Sequence, residues 1–374
     1  MAKLYVDALP VLFEGGISNY VRPLVNCLRK KNTEKRSVKL LFRLGFHRSR
    51  RELYNTWRSD HSFNEDGEIK TYIPDRVVEY LWNRGSMAST IGECKKEDIF
   101  LATTELVPSN RTLKVGWVVY DLTPFRAPQF FRIDHRRYLA SMIKRASVSD
   151  FIVAISENTK RDIVDLLKYP EDRICVVYPG IEGMNISKLP PVLTHNRPYV
   201  YYAGSLSLNK NVDGMLRIFS RVIHEHGLDI DIILSGKDFC GKSFWDELTR
   251  KLKISDRVRI KGWVSDEERQ YLLSQAKMVW QFSWYEGFGL AVLEAAVRGI
   301  PVLYANRGAV PEILKNPEQE IDPTDERNAA MKAAEALSSS SKLNRWSELG
   351  RERAAEFSWD KSSSKLLKWL ERTS

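Results

Sequence analysis

The sequence predicts an α/β protein built from two successive units, each with a parallel β-sheet. Short apolar runs typical of buried strands alternate with helix-length amphipathic segments. The alternation stops once, at the proline-containing segment Met184–Pro198, and then restarts. A chain of 374 residues with 43% hydrophobic residues is long enough for two buried cores. A single large doubly wound sheet is the alternative arrangement.

The first unit begins with a strand, a glycine-containing loop and a helix. Lys3–Ala8 is a short apolar run, Gly15 and Gly16 follow it, and apolar residues then recur at helical spacing from Ile17 to Leu28. Ser156 is expected to cap the helix that follows it. Further strands are expected at VKLLFRL, DIFLATT, LKVGWVVYD, DFIVAIS and RICVVYPGIEG.

The second unit repeats this alternation. Glycines at 227 and 299 are expected to end two of its helices. Strands are expected within RPYVYYAGS, DIDIILSGK, VRIKGWV, KMVWQFS and IPVLYA, and helices within VDGMLRIFSRVIHEHG, FWDELTRKLK, DEERQYLLSQA and GLAVLEAAVRG.

Composition and charge limit the class of protein. The four cysteines are widely spaced and are expected to be reduced thiols. No apolar run is long enough for a membrane span and the N-terminus does not resemble a secretory signal, so we expect a cytoplasmic protein. The formal charge is +10, and residues 1–50 carry eleven Lys and Arg against three Asp and Glu. Such an excess suits nucleic acid, an anionic membrane or phosphorylated ligands.

The segment Ser283–Gly299, SWYEGFGLAVLEAAVRG, carries the clearest chemical signal. A strand ends near Ser283, and glycines 287 and 289 precede a helix that starts near Leu290, so backbone N–H groups can reach a pyrophosphate. Glu294 is expected about 7 Å further along the helix axis, within reach of ribose hydroxyls. Glu286, before the helix, is expected to lie toward the transferred group.

This pattern resembles that of the retaining nucleotide-sugar glycosyltransferases with the GT-B fold, specifically glycosyltransferase family 4, which includes many bacterial mannosyltransferases. Its signature is E-G-F-G-L-x-x-x-E, two glutamates separated by seven residues, here from Glu286 to Glu294. Supporting matches include AISENTKRDI at 154–163, YAGSLSLNKNVDGMLRIF at 202–219 and RGIPVLYANRGAVPEI at 298–313.

The resemblance implies two Rossmann-like domains facing across a cleft. It assigns residues 1–186, completed by a C-terminal helix at 357–374, to an acceptor-binding domain, and residues 197–356 to a nucleotide-sugar-binding domain. It also implies catalytic roles for Glu286 and Lys210, the latter neutralising the leaving diphosphate. The donor-binding residues it implies are Gly15, Gly16, Gly204, Ser205, Lys210, Gly236, Lys237, Val264, Phe288, Gly289, Leu290 and Glu294.

Two positions depart from the family pattern. The family commonly has an Arg soon after the turn glycine, where this chain has Ser205. Part of the charge that neutralises the phosphate is therefore expected either to be missing or to come from elsewhere, from Arg43 or another base of the N-terminal domain. Many members place a His before Asp121, where this chain has Tyr120. Tyr120 can still hydrogen-bond a sugar hydroxyl, and both residues are retained as catalytic candidates, with a loop-capping role as the alternative for Asp121.

The resemblance implies hexose transfer from a nucleotide sugar, with GDP-mannose favoured, to a lipid-linked or oligosaccharide acceptor in surface-polysaccharide or O-antigen synthesis. No D-x-D carboxylate pair follows a strand, so we expect no metal or other cofactor. Basic and aromatic residues interleave in FHRSRREL at 46–53 and in residues 129–145, which favours peripheral contact with the anionic inner face of the cytoplasmic membrane; solvated basic helices are the alternative.

Two other functions compete with glycosyl transfer. A GT-B sugar-nucleotide epimerase would need acid and base groups around the sugar, and the six scattered histidines argue against it. A basic nucleic-acid-binding protein is disfavoured because the sequence contains no recognised nucleic-acid motif. We therefore expect a nucleotide sugar and a saccharide as partners, and no nucleic acid.

Overall fold

The computed structural model describes residues 2–31, 36–59, 67–109, 112–181 and 197–373. The chain divides into two compact units. The first comprises Met1–Leu122, Ile133–Glu182 and Ser358–Ser374, and the second comprises Thr123–Arg132 and Gly183–Phe357. Most of the predicted linker at Met184–Pro198 lies outside the described residues.

The first unit is built on a parallel sheet, with helices in the segments that connect its strands. Its strands are β1 (Ala2–Asp7), β2 (Arg36–Arg43), β3 (Glu68–Thr71), β4 (Ile99–Ala102), β5 (Lys114–Val119), β6 (Phe151–Ala154) and β7 (Ile174–Val176). Its helices are α1 (Gly16–Lys30), α2 (Arg48–Ser59), α3 (Asp75–Asn83), α4 (Ala88–Ile91), α6 (His135–Val148), α7 (Glu157–Leu167) and α15 (Trp359–Thr373). The strand order is β3-β2-β1-β4-β5-β6-β7.

The second unit repeats this plan with six strands in its described part. They are β8 (Tyr199–Ala203), β9 (Asp231–Ser235), β10 (Val258–Gly262), β11 (Met278–Gln281), β12 (Val302–Ala305) and β13 (Glu320–Ile321). Its helices are α5 (Thr123–Arg126), α8 (Val212–His224), α9 (Lys242–Lys251), α10 (Asp266–Gln275), α11 (Leu290–Val297), α12 (Val310–Leu314), α13 (Glu326–Ser338) and α14 (Ser340–Ala354). The strand order is β10-β9-β8-β11-β12-β13.

The strand pairings explain where loops converge. Every pairing between the named strands is parallel, with β1 between β2 and β4 and β8 between β9 and β11. The carboxyl ends of all strands in a parallel sheet lie at one edge, and ligands bind where successive strands depart to opposite sides. In the first unit that point lies between β1 and β4, and in the second between β8 and β11.

Local sequence signals produce several of these elements. The Ser156 hydroxyl accepts a hydrogen bond from the Thr159 N–H at 2.9 Å, so the predicted cap of α7 is confirmed. Gly299 has φ +69° just beyond α11, as expected for a helix-ending glycine. The apolar faces of α8 and α13 pack into the buried core of the second unit.

The segment 129–145, predicted as one basic surface, is divided between the units. Residues up to Arg132 cluster with the second unit, whereas those from Ile133 onward, including α6, cluster with the first. Within the second unit, the ring of Phe130 stacks on Trp284 at 6.3 Å between centroids. This aromatic contact packs a short stretch of chain from the first half of the sequence within the second unit.

Candidate functional site

Glu286 and Lys210 form a half-buried ion pair in the second unit. The Lys210 ammonium donates to both carboxylate oxygens of Glu286 at 2.8 Å. Glu286 Oε1 also accepts from the Ser283 hydroxyl at 2.7 Å and from the Gln281 amide at 2.8 Å. The Lys210 side chain is 24% exposed and the Glu286 side chain is 15% exposed. The carboxylate is therefore held in position by four hydrogen bonds, with the Lys210 ammonium beside it.

The sheet topology brings these two residues together. Lys210 ends a short 3-10 turn after β8, and Glu286 follows β11, which is the neighbour of β8. A Cβ added at Gly308 would lie 2.5 Å from the carbonyl oxygen of Glu286, and the next N–H, that of Ala309, donates to this oxygen at 2.9 Å. The backbone around Glu286 is thus held by a close approach that only glycine permits.

Helix α11 begins beside this pair. Gly289 precedes it with φ +115°, a conformation that favours glycine. Leu290, at the first helical position, is half-buried. Phe288 is only 3% exposed and packs edge-on against Phe357 at 5.7 Å. The ring of Phe288 is therefore packed inside the unit, and its donor-binding role stays a prediction.

Glu294 lies on α11 and pairs with Arg269 on α10. Its side chain is 13% exposed and that of Arg269 is 26% exposed. Burial alone would lower the pKa of Arg269, but the neighbouring Glu294 carboxylate holds this pKa above its ordinary value. The carboxylate predicted to bind the ribose therefore has a cationic partner on the neighbouring helix. The motif gave no signal for Arg269.

The other glycine positions of the second unit form a tight backbone crossing. Gly236, with φ +139°, approaches Gly204 so closely that an added Cβ would lie 1.9 Å from the Gly204 carbonyl oxygen. The Ser205 carbonyl accepts from the Tyr202 hydroxyl at 3.0 Å. Lys237 lies 5.2 Å from the ring centroid of Phe239, and Val264 is half-buried. These glycines have a packing reason independent of any donor.

The predicted site residues of the first unit share one cavity. It has a volume of about 610 Å³ and lies at the carboxyl ends of β1, β4 and β5. Gly15, Gly16, Tyr120 and Asp121 all line it. A Cβ added at Gly15 or Gly16 would meet nothing within 4 Å, so these glycines are not required by packing, although Gly15 has φ +130°.

Tyr120 lies in the wall of this cavity, and its hydroxyl is a hydrogen-bond donor. Its hydroxyl donates to the Thr103 carbonyl at 2.8 Å, and its ring meets Tyr20 edge-on at 5.7 Å. Burial, together with Tyr20 and Asp7, raises the pKa of Tyr120 well above its ordinary value. The phenol therefore stays protonated at physiological pH and cannot serve as a general base. Its oxygen can still accept a hydrogen bond from a sugar hydroxyl.

The expectation that Arg43 replaces the missing family arginine is wrong. Arg43 is only 3% exposed, because it is buried at the end of β2. It pairs with Asp75 at 2.5 Å and with Asp7 at 3.1 Å, and it also donates to Thr104. Two carboxylates already compensate its charge, so Arg43 supports the fold of this sheet edge and has no charge left for a phosphate.

Comparisons with known proteins place this geometry in context. Residues 187–353 match the family described as Glycosyl transferases group 1. O-antigen chain mannosyltransferase B of Escherichia coli is 27% identical over 66% of this chain and 68% of its own length. O-antigen chain mannosyltransferase RfbU of Salmonella typhimurium is 22% identical over 79% of both.

Four further curated relatives are matched over 40 to 55% of their own length. Among solved structures, Anabaena HepE in complex with UDP and glucose matches over 100% of both chains, with a TM-score of 0.71 and 16% identity. That likeness confirms the predicted fold class, two parallel-sheet α/β domains of the GT-B type. Residues 187–353 of this chain are therefore similar to the glycosyl transferases group 1 family.

Proposed function

We propose that the protein transfers mannose from GDP-mannose, with retention of anomeric configuration, to a saccharide acceptor in surface-polysaccharide or O-antigen synthesis. The observation that carries this proposal is the fixed Glu286–Lys210 pair at the branch point of the second sheet, inside the segment that matches the glycosyl transferases group 1 family. Two of the relatives are named O-antigen mannosyltransferases, which favours mannose. HepE is solved with UDP, so the nucleobase needs a direct test.

The contacts of the pair suggest a division of roles. An ammonium group has three N–H donors, and Lys210 gives two of them to Glu286. Its positive charge and the N–H groups at the start of α11 would stabilise the departing diphosphate. Glu286, acceptor of four hydrogen bonds, would orient hydroxyls of the transferred sugar. No metal would be needed to neutralise the leaving group.

The proposed transfer balances without a further reactant. The bond from the anomeric carbon to the diphosphate oxygen breaks, and a bond from the acceptor oxygen to the same carbon forms on the same face. The acceptor's hydroxyl proton passes to the departing phosphate oxygen, so no protein base is required. Burial raises the pKa of Tyr120, which disfavours that residue as a base.

We also propose peripheral contact with an anionic membrane surface on the cytoplasmic side. In the described part of the chain, no helix is long and apolar enough to cross a bilayer. The loops after β2 and β3 are joined by the Leu44 N–H, which donates to the Thr71 carbonyl at 2.9 Å. Exposed apolar and basic residues lie in these loops, on α2 and α3 that follow them, and just after α3, namely Phe46, Arg48, Arg51, Tyr72, Arg76, Val77, Tyr80 and Arg84. Such a mixture suits an anionic interface.

A nucleotide-sugar panel tests the proposal. The full chain is incubated with GDP-mannose, UDP-glucose, UDP-galactose or UDP-N-acetylglucosamine, and release of the nucleoside diphosphate is followed with and without saccharide acceptors. GDP-mannose should give the fastest release and a sugar-extended product, and Glu286→Gln should slow it about 100-fold or more. A matched control is Glu352→Gln, an exposed carboxylate on α14.

The same panel distinguishes the alternatives. Conversion of a nucleotide sugar to an epimer without release of diphosphate would favour the epimerase. Tight, salt-sensitive binding of nucleic acid with no turnover of any donor would favour the nucleic-acid-binding protein. If a UDP-sugar is turned over fastest, the glycosyl-transfer function would stand and GDP-mannose would be rejected as the donor.

A further inference from the structure

Gln281 is a polar residue buried at the end of an apolar strand. It is the last residue of β11, and the other three residues of that strand, 278–280, are buried and apolar. Gln281 itself is 5% exposed, and Phe282, which follows it, is fully buried. Burial takes the hydrogen bonds of an amide away from water, so a buried amide needs partners in the protein. The contacts of this amide therefore indicate why the position is polar.

The Gln281 amide uses its donor end and leaves its acceptor end without a partner. Its nitrogen Nε2 donates to Glu286 Oε1 at 2.8 Å and to the Ser283 hydroxyl oxygen at 2.9 Å. Within the described part of the chain, its oxygen Oε1 has no hydrogen-bond partner. The amide takes this orientation because a carboxylate oxygen accepts hydrogen bonds and does not donate them. An orphaned buried oxygen costs stability, so the amide serves Glu286 better than it serves the fold.

The two carboxylate oxygens of Glu286 have different surroundings. Oε1 accepts hydrogen bonds from Lys210, Gln281 and Ser283. Among the described residues, Oε2 accepts a hydrogen bond from Lys210 alone. A carboxylate has roughly four lone-pair sites, about two on each oxygen. Oε1 is therefore saturated by the protein, whereas Oε2 keeps an acceptor site for a hydroxyl group of a ligand.

We propose that Gln281 is a positioning residue for Glu286: it holds Oε1, so that Oε2 stays available to a hydroxyl of the transferred sugar. The proposal rests on the glycosyl-transfer function above, in which Glu286 orients that sugar. Without the amide, one of the two donors that hold only Oε1 is lost, and the carboxylate can rotate about its last torsion. A small misplacement of an orienting group slows a reaction even when the substrate remains bound.

The substitution Gln281→Met tests this role, since it keeps an unbranched side chain and removes the amide. With the donor that the panel turns over fastest, kcat should fall about tenfold or more. The affinity for the nucleoside diphosphate of that donor, measured by isothermal titration calorimetry, should stay within about twofold, because the diphosphate lacks the sugar hydroxyls. The unfolding temperature should stay or rise, because the orphaned amide oxygen is replaced by an apolar group.

Gln319 provides a matched control, because it is a buried glutamine whose amide is bonded at both ends. It is 1% exposed; its Nε2 donates to the Val302 carbonyl at 2.7 Å, and its Oε1 accepts from the Asn316 amide at 2.9 Å. Gln319→Met should therefore lower the unfolding temperature, while kcat measured well below that temperature stays within about twofold. The opposite patterns at the two glutamines separate positioning from packing.

A second variant, Gln281→Leu, repeats the test with a different apolar side chain and should show the same pattern as Gln281→Met. A wild-type kcat in both variants would overturn the proposal. So would a fall in kcat that comes with a loss of stability as large as that of Gln319→Met, or with an equal loss of diphosphate affinity. If the wild-type chain turns over no donor, the proposed function itself fails; if it transfers sugar and the Gln281 variants match it, the positioning role fails alone.

Discussion

The C-terminal helix α15 links the stability of the first unit to its cavity through Trp359. This side chain is 1% exposed, and its ring meets Tyr20 edge-on at 5.1 Å. Tyr20 in turn meets Tyr120, which lines the cavity. The substitution Trp359→Ala should therefore destabilise the first unit and also loosen the cavity wall.

The size of the effect follows from burial. Replacing a fully buried Trp by Ala costs about 3–5 kcal/mol, and the edge-on aromatic pair is worth roughly 0.5–1.5 kcal/mol beyond its buried area. We take about 4 kcal/mol for Trp359→Ala. For a unit of this size, each kcal/mol shifts the unfolding temperature by roughly 2–4 °C, so its transition should fall by about 8–16 °C.

Differential scanning calorimetry of the full chain measures this shift. Trp359→Phe keeps an aromatic contact to Tyr20 and should lose less than half as much stability. Lys368→Ala, at an exposed position of the same helix, should change stability by less than about 0.5 kcal/mol. If Trp359→Ala melts like the wild type, or if Lys368→Ala is equally destabilising, the packing argument is wrong.

A second readout separates packing from the cavity. Because Tyr20 lies between Trp359 and Tyr120, Trp359→Ala should also weaken saccharide binding when it is measured well below the variant's melting temperature. Trp359→Phe should recover most of that binding. Unchanged affinity in Trp359→Ala would show that the aromatic contacts do not position the cavity wall.

The remaining predictions concern the donor site and one buried network. Glu294→Gln should weaken nucleoside-diphosphate binding about tenfold in isothermal titration calorimetry, whereas Glu352→Gln should not, and equal affinities would reject the ribose role. Excess EDTA should leave transfer unchanged because Lys210 would supply the charge; strict dependence on added Mg²⁺ or Mn²⁺ would refute this. Asp75→Asn should lower stability by about 1–2 kcal/mol at pH 7, where Arg43 loses an ionised partner. Burial alone would raise the pKa of Asp75, but Arg43 and Arg50 hold this pKa below its ordinary value. The contribution of the Asp75 carboxylate to stability is therefore present above about pH 4 and is lost as the pH falls further. Urea melts from pH 7 to pH 3 should show the difference from wild type narrowing, and a constant difference would contradict the assignment.

The sequence predicts the central strands of both sheets better than the edges. The central strands are continuous apolar runs because both faces are buried, as in β4 and β6, where all four residues are buried. The missed strands β3 and β13 lie at sheet edges, and Glu68–Thr71 and Glu320–Ile321 are short and partly polar. Short, partly polar strands carry a weak hydrophobic signal, so the sequence overlooked these two, although it predicted the edge strands β7 and β10.

The sequence also predicts which residues belong to the site better than it predicts which residues contact one another. It singles out Glu286 and Lys210 separately, but they are 76 positions apart, and their pairing depends on the strand order. Arg269 was missed as the partner of Glu294 because an arginine on an amphipathic helix looks like any solvated base. Arg43 was misassigned for the converse reason: its burial against Asp7 and Asp75 is a tertiary property.

The Glu286–Lys210 pair and the first-unit cavity each lie at the branch point of their own sheet. Their chemistry differs because the loop residues at these two points differ. In the second unit, the two central strands present Lys210 and Glu286 beside the start of α11, an arrangement suited to a diphosphate and a polar sugar. In the first unit, the loops after β1, β4 and β5 present carboxylates and aromatic rings. The same topology thus presents an ion pair in one unit and carboxylates with aromatic rings in the other, because the loop residues differ while the parallel sheets fix their positions.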